Sequence, residues 1–413
     1  CKKQNSQQQA QIEILSPKEN AFYSLPDTIH SEIIVQTDVK PDYIRVCVCN
    51  AAQTPVFSPI YFYPETLLTN LSFDYILENM DISSQGQLYF SVSVATDIMS
   101  NSFKKINIES QPVEFQGVYL FTHTSVNETK LAYLDIEMTV KSIALVPGNY
   151  SESAASATHD MLFFLTEVPD RMYARQFGED LFLWEKEPSA DYPEFTSVYA
   201  DGNKVYCGYG NGKIAGFADV SGQQMVSTPV MMDSVPERMI VTGDYIVGDF
   251  RVKNKPSRSL SVFYKTTGAR FQRAVYQIEV VDFYKENNEK ELLIFGNEDG
   301  KAVVSNYFFE GNYFKEILNI SDEKINATCR VSSSVFLFSQ KKSVFSIDLK
   351  THIKKELLAL NDEIVSVKFD ETEQIVIVAT ANSVYSYFYP SMQFIGTFSS
   401  LDPIIGIELR YAF

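Results

Sequence analysis

The feature that most restricts how this chain can fold is a rhythm. Between residues 117 and 413, a short apolar run, a tight polar hairpin and an amphipathic run ending in a turn recur about seven times, with a period of roughly 42 residues. The clearest unit joins Phe195–Tyr199, Lys204–Gly208, Gly212–Phe217 and Gln224–Ser227, with Asp219-Val220-Ser221-Gly222 as its last turn. Similar sets follow at Tyr245–Gly248 with Leu260–Tyr264, Leu292–Gly296 with Ala302–Val304, Val335–Phe338 with Ser343–Asp348, and Ile375–Ala379 with Ser383–Tyr387. No 3.6-residue period competes over any long stretch, so each unit is expected to be a small four-stranded sheet. The last run, Ile404–Leu409, opens a unit with no hairpin after it, while the unit at Gly117–Phe121 lacks a first strand. Pairing these two would close a ring and hide both sheet edges.

Residues 11–112 read differently. Ile12–Leu15, Ser31–Gln36, Tyr43–Cys49, Phe73–Leu77, Gln87–Val94 and Lys105–Ile108 form short alternating runs separated by turn residues such as Ser16-Pro17-Lys18-Glu19-Asn20. Six or seven strands in about 100 residues is the pattern of an Ig-like sandwich, here without the Cys…Trp…Cys core of antibody domains. The expected fold class is therefore all-β: a polar leash over residues 1–10, an N-terminal Ig-like β-sandwich over 11–112, and a seven-bladed β-propeller over 113–413 closed by the C-terminal strand.

Composition removes several function classes. A net charge of −17 does not suit nucleic-acid binding, which needs basic patches to neutralise phosphates. No run of 18 apolar residues is present to span a bilayer as a helix. Cys47 and Cys49 sit on one strand face, and Cys207 and Cys329 fall in separate repeats, so they read as small buried hydrophobes without a disulfide framework. His30, His123, His159 and His352 show no metal-ligand spacing, and no metal site is expected.

The sequence begins at Cys1, followed by Lys2-Lys3-Gln4-Asn5-Ser6 and three Gln. Joined to the sandwich and the repeats, this resembles processed outer-membrane lipoproteins of the Bacteroidota type. The resemblance implies that Cys1 is lipidated, that this covalent lipid stands in place of any cofactor, and that the chain is tethered to the outer membrane. Two or more acyl chains hold stably where one does not. The basic, Gln-rich tail differs from the acidic tails of surface-exported members and favours the periplasmic face. The repeats resemble WD40 and quinoprotein-type propellers in architecture. The G-H and W-D signatures are absent, Trp184 being the only Trp. The turns Asp219–Gly222 and Lys265–Gly268 resemble those of propeller lipoproteins that assist outer-membrane protein assembly.

Local motifs reduce to structure. Gly208-Tyr209-Gly210-Asn211-Gly212 joins two strands and precedes no helix, so it is read as a hairpin turn and not as a phosphate loop. His159-Asp160 is read as part of a solvated loop. Glu185/Glu187 and Asp362/Glu363 are pairs expected by chance in a chain with 52 acidic residues. Two aromatic stretches stand out. In Ile60–Pro64 and Tyr385–Pro390, alternation cannot bury every ring, which marks Tyr61, Phe62, Tyr63, Tyr385, Tyr387 and Tyr389 as candidate protein-binding residues. Thr28 and Ser234 follow Asp and precede an apolar residue, an acceptor pattern for O-glycosylation in Bacteroidota-type envelope proteins.

The expected function is non-enzymatic: a membrane-anchored scaffold or accessory subunit that binds other envelope proteins in an outer-membrane complex for secretion, protein insertion or uptake. A surface glycan-binding lipoprotein is the first alternative. A propeller hydrolase or lyase is the second, and it requires acidic or His residues gathered at the central channel, a cluster the sequence does not display. Replacing Cys1 by Ser is expected to move the protein from the membrane to the soluble fraction. Continued sedimentation with membranes, without a partner, would contradict lipidation.

Overall fold

A computed structural model describes residues 10–78, 82, 86–110, 112–125, 127–179, 181–286 and 291–413. These residues are strands, turns and connections, with no helix among them. The chain divides into two compact units, Cys1–Val113 together with Phe413, and Glu114–Ala412.

The first unit holds a three-stranded sheet, ordered Gln11–Ser16, Asp27–Gln36, Leu68–Leu77, and a five-stranded sheet, ordered Ala21–Ser24, Met99–Glu109, Leu88–Ala95, Tyr43–Asn50, Ile60–Phe62. Among the described residues only Ala21–Ser24 pairs in parallel, along Met99–Glu109. Period-2 alternation explains the core. Ile29, Ile33 and Val35 face inward while His30, Glu32 and Gln36 face solvent. They meet Ile44, Val46, Val48, Phe90, Val92 and Val94 of the other sheet in one hydrophobic cluster. The buried Tyr75 hydroxyl donates to the Ser58 carbonyl at 2.9 Å and accepts the Val48 N–H at 3.3 Å.

The second unit is propeller-like, built from seven four-stranded antiparallel sheets. Sheet I combines Glu114–Ser125, Glu128–Asp135 and Val140–Pro147 with Ile404–Ala412. Sheets II to VII follow in chain order over residues 149–186, 195–227, 234–276, 279–321, 327–359 and 364–399. The second strand of each sheet is apolar on both faces, because each face meets a different neighbour. In Met161–Glu167, Met161, Phe163 and Leu165 pack with sheet III, while Leu162 and Phe164 pack with sheet I. In Glu291–Glu298, Leu292 and Ile294 pack with sheet IV, and Leu293 and Phe295 with sheet VI. Among the described residues, seven such cores fill the seven spaces between successive sheets.

The circuit closes through the end of the chain. Ile404–Ala412 pairs antiparallel with Glu114–Ser125. It also lies against the first strands of sheets II and VII, Asn149–Ser156 and Ile364–Asp370. Ile404, Ile407 and Leu409 enter the core shared with sheet VII. Arg410 adds a polar clasp to sheet II. Its guanidinium donates to both Asp160 carboxylate oxygens at 2.9 and 2.6 Å, donates to the Tyr133 hydroxyl at 3.2 Å, and lies over the Phe177 ring. Bidentate charge-assisted bonds of this kind are among the stronger ones available to a protein.

Truncation after Asp402 is expected to expose the Glu114–Ser125 edge and to remove three core side chains, at about 1.5–3 kcal/mol each. Limited proteolysis and a thermal melt of the truncated chain check this. A melt unchanged from the full chain would refute the closure argument.

Candidate functional site

The seven first strands enclose a channel of about 520 Å³. Glu152 (sheet II), Arg238 (IV), Asp282 (V), Lys368 (VII) and Glu408 (I) all line it. A repeated backbone irregularity helps to position them. In six of the seven sheets the first strand carries a β-bulge against the second, at Tyr150/Glu152, Phe195/Ser197, Pro236/Arg238, Val280/Asp282, Ile364/Ser366 and Ile404/Gly406. Bulges re-aim the residues that follow them. Glu152, Arg238 and Asp282 are the first residues back in register, and Lys368 and Glu408 stand two positions beyond Ser366 and Gly406.

Two ion pairs cross the space between sheets. Arg238 donates to Glu152 at 2.6 Å, and Glu152 also accepts the Val198 N–H at 2.8 Å. Lys368 donates to both oxygens of Glu408 at 3.1 and 3.0 Å. Asp282 accepts the Phe283 N–H at 2.8 Å and the Tyr284 hydroxyl at 3.2 Å. Removal from bulk water raises the Glu152 carboxyl above its ordinary value, with Arg238 and the Val198 N–H partly offsetting this. Asp282 is also raised by burial, against the pull of the Phe283 N–H and of Lys368 and Arg238. Burial lowers the Lys368 ammonium, but Glu408 and Asp282 outweigh it and the group titrates above its usual range.

This cluster corrects the sequence reading, which found no gathering of acidic residues for a channel. The only trace in the sequence is that each of these charges falls on or two residues beyond the bulge of a first strand, in five of the seven repeats. It is hard to see because the five charges come from five different repeats.

The other candidate residues fall in several environments. Cys1 lies outside the described residues. Tyr61 and Tyr63 are exposed, at 47% and 72%. Phe62 instead packs on Phe73 with ring centroids 4.8 Å apart. In the second aromatic stretch the outward placement fails. Tyr387 is buried at 6% in the core between sheets VI and VII, with Tyr385 and Tyr389 packed against it. Phe388, on the opposite strand face, is the exposed ring. The reason is that sheet VII has a neighbour on that side, so successive residues do not alternate between core and solvent in the simple way. Thr28 is half-buried within Asp27–Gln36. Ser234 is fully buried, its hydroxyl donating to Asp233 at 2.9 Å and accepting from Arg273 at 3.0 Å. A hydroxyl enclosed in this way is closed to glycosyl transfer in the folded chain.

His159 and Asp160 do not form a dyad. His159 Nδ1 bonds Asp219 at 2.6 Å, while Asp160 holds Arg410. Glu185 and Glu187 both pair with Arg171. The glycine-rich segment turns at Gly210–Lys213 between two strands. Gly212 has φ +79°, and a Cβ there would fall 2.1 Å from the Met231 carbonyl oxygen. All four described cysteines are free and buried. An aromatic cluster passed unnoticed in the sequence. Tyr245, Tyr264 and Phe271 of sheet IV meet Phe309 with neighbouring ring centroids 5.2–5.8 Å apart, and Tyr264 and Phe271 reach solvent.

No protein-family model matches the sequence, and no curated protein matches it. Solved structures similar to the chain include Sqt1 of Saccharomyces cerevisiae, at 8% identity and a TM-score of 0.49, covering 71% of this chain and 88% of that one. The computationally designed Ika8 protein is similar at 14% identity and a TM-score of 0.48, covering 70% and 89%. A chain of a nidogen/laminin complex is similar at 12% identity and a TM-score of 0.43, covering 71% and 98%.

The raised Asp282 carboxyl carries a stability consequence with a definite sign. The folded chain binds this proton more tightly than the unfolded chain, so the contribution of Asp282 to stability falls as pH rises above the ordinary value of 3.8. Asp282→Asn keeps a carbonyl acceptor and removes that fall. The melting-temperature difference, variant minus wild type, is expected to grow from pH 4 toward neutrality. A difference constant with pH would show that the site does not titrate in this way.

Proposed function

We propose that this chain is a non-enzymatic binding protein of the cell envelope, in which an Ig-like sandwich and a seven-bladed propeller present surfaces to other proteins. In this reading Cys1 carries the lipid anchor at the outer membrane, on its periplasmic face, and the partners belong to a secretion, insertion or uptake complex. Anchoring raises the effective concentration of a partner held at the same membrane.

The observation that carries the reading is an exposed apolar edge in the first unit. Tyr61, Tyr63, Leu67 and Leu68 are all exposed and lie where the chain passes from the five-stranded to the three-stranded sheet. Concentrated apolar exposure of this kind suits a protein interface, with tyrosines as anchors. The channel charges support a non-catalytic role. Glu152 and Glu408 are each engaged by a cation, which suits charge pairing across the ring better than proton transfer. Surface glycan binding is a second reading, favoured by the Tyr245, Tyr264, Phe271 and Phe309 rings, two of which are open to solvent.

Tyr61→Ala with Tyr63→Ala is expected to strip a partner recovered from detergent-solubilised membranes, with a loss of about 2 kcal/mol or roughly thirtyfold in affinity. The melt and the membrane fraction should be unchanged. Retention of every partner, together with oligosaccharide binding that Phe271→Ala abolishes, would transfer the assignment to the glycan reading.

A further inference from the structure

The channel of the second unit carries an unbalanced charge. Three carboxylates, Glu152, Asp282 and Glu408, face two cations, Arg238 and Lys368. Two of the carboxylates are neutralised in ion pairs at 2.6 and 3.0 Å. Asp282 has only uncharged donors, the Phe283 N–H and the Tyr284 hydroxyl, and no cation within ion-pair distance among the described residues. Arg238 and Lys368 act on Asp282 through space, but each is hydrogen-bonded to another carboxylate. A carboxylate removed from bulk water with no cation in direct contact is held at a cost that a bound cation relieves.

We propose that the channel binds a small organic cation, a primary amine or guanidinium, with Asp282 as its counter-ion. The volume suits this, because ligand cavities run from about 300 to 1,000 Å³. The lining suits it as well. Tyr199, Asn326 and Thr328 add polar groups beside the charged ring, and Ala154, Ala155 and Ala200 leave room within it. One unpaired negative charge selects for one positive charge on the ligand. An anion would meet a net negative ring, and a neutral solute would leave Asp282 as it is. This site is separate from the exposed edge of the first unit, so the inference does not rest on the protein-binding reading.

Isothermal titration of the full chain at low salt, with n-butylamine, 1,4-diaminobutane and agmatine as probes and n-butanol as the neutral control, tests the proposal. The expected result is saturable one-site binding of at least one of the cations and none of butanol. Asp282→Asn should weaken that binding by about tenfold or more, the loss expected for an ion pair worth about 1.4 kcal/mol. Asp362→Asn, on the exposed turn before sheet VII, should leave it unchanged. Lys368→Met releases Glu408 from its partner and should tighten binding of the dication, which separates loss of charge from loss of fold. No saturable binding of any cation by the wild type overturns the proposal. So does binding that survives Asp282→Asn undiminished, or butanol bound as well as butylamine.

Discussion

The second unit depends on one packing constraint: the middle strands of its sheets are apolar on both faces. A sheet with one apolar face can end a fold by turning its other face to water. A sheet with two requires a neighbour on each side, and each neighbour then has the same requirement. An open stack would leave two unsatisfied faces at its ends. Closure into a circuit satisfies all of them, and the seven inter-sheet cores show that it does so here. The Arg410 clasp onto Asp160, Tyr133 and Phe177 sits where the two ends of the circuit meet.

That same constraint decides what could be read from the sequence. Apolar runs such as Leu292–Phe295 and Val376–Ala379 announce strands buried on both faces, and the hairpin residues between them give the period, so the repeating strands were legible. The first unit was legible through ordinary alternation, although the short strands Ala21–Ser24 and Ile60–Phe62 carry too few residues to show a period. Side-chain exposure was not legible where packing is two-sided. Tyr385, Tyr387 and Tyr389 looked surplus to one core and in fact serve the core between two sheets. Partners distant in sequence were hidden too. His159 and Asp160 are adjacent in the chain, yet one bonds Asp219 and the other Arg410.

The channel shows the complementary arrangement. Residues facing the axis meet no neighbouring sheet, so the hydrophobic requirement that governs the cores stops there, and charge is tolerated. The bulges set where along the strand this happens. They recur in six of the seven sheets, and residues from remote repeats line one channel, so charges scattered through the sequence share a single electrostatic environment. Glu152 and Arg238 make this concrete: they belong to sheets II and IV, with sheet III between them in the chain, and yet they share a hydrogen bond.

The pairing of Ile404–Ala412 with Glu114–Ser125 also has a consequence for synthesis. The strand Glu114–Ser125 emerges from the ribosome first, and its partner emerges only after six other sheets have been made. Throughout that interval the Glu114–Ser125 edge offers free backbone donors and acceptors to any extended segment nearby. Contacts between such distant parts of a chain form slowly, and unpaired strand edges are sites of misassembly. A nascent chain of this protein therefore carries an open edge at Glu114–Ser125 until Ile404–Ala412 has been made.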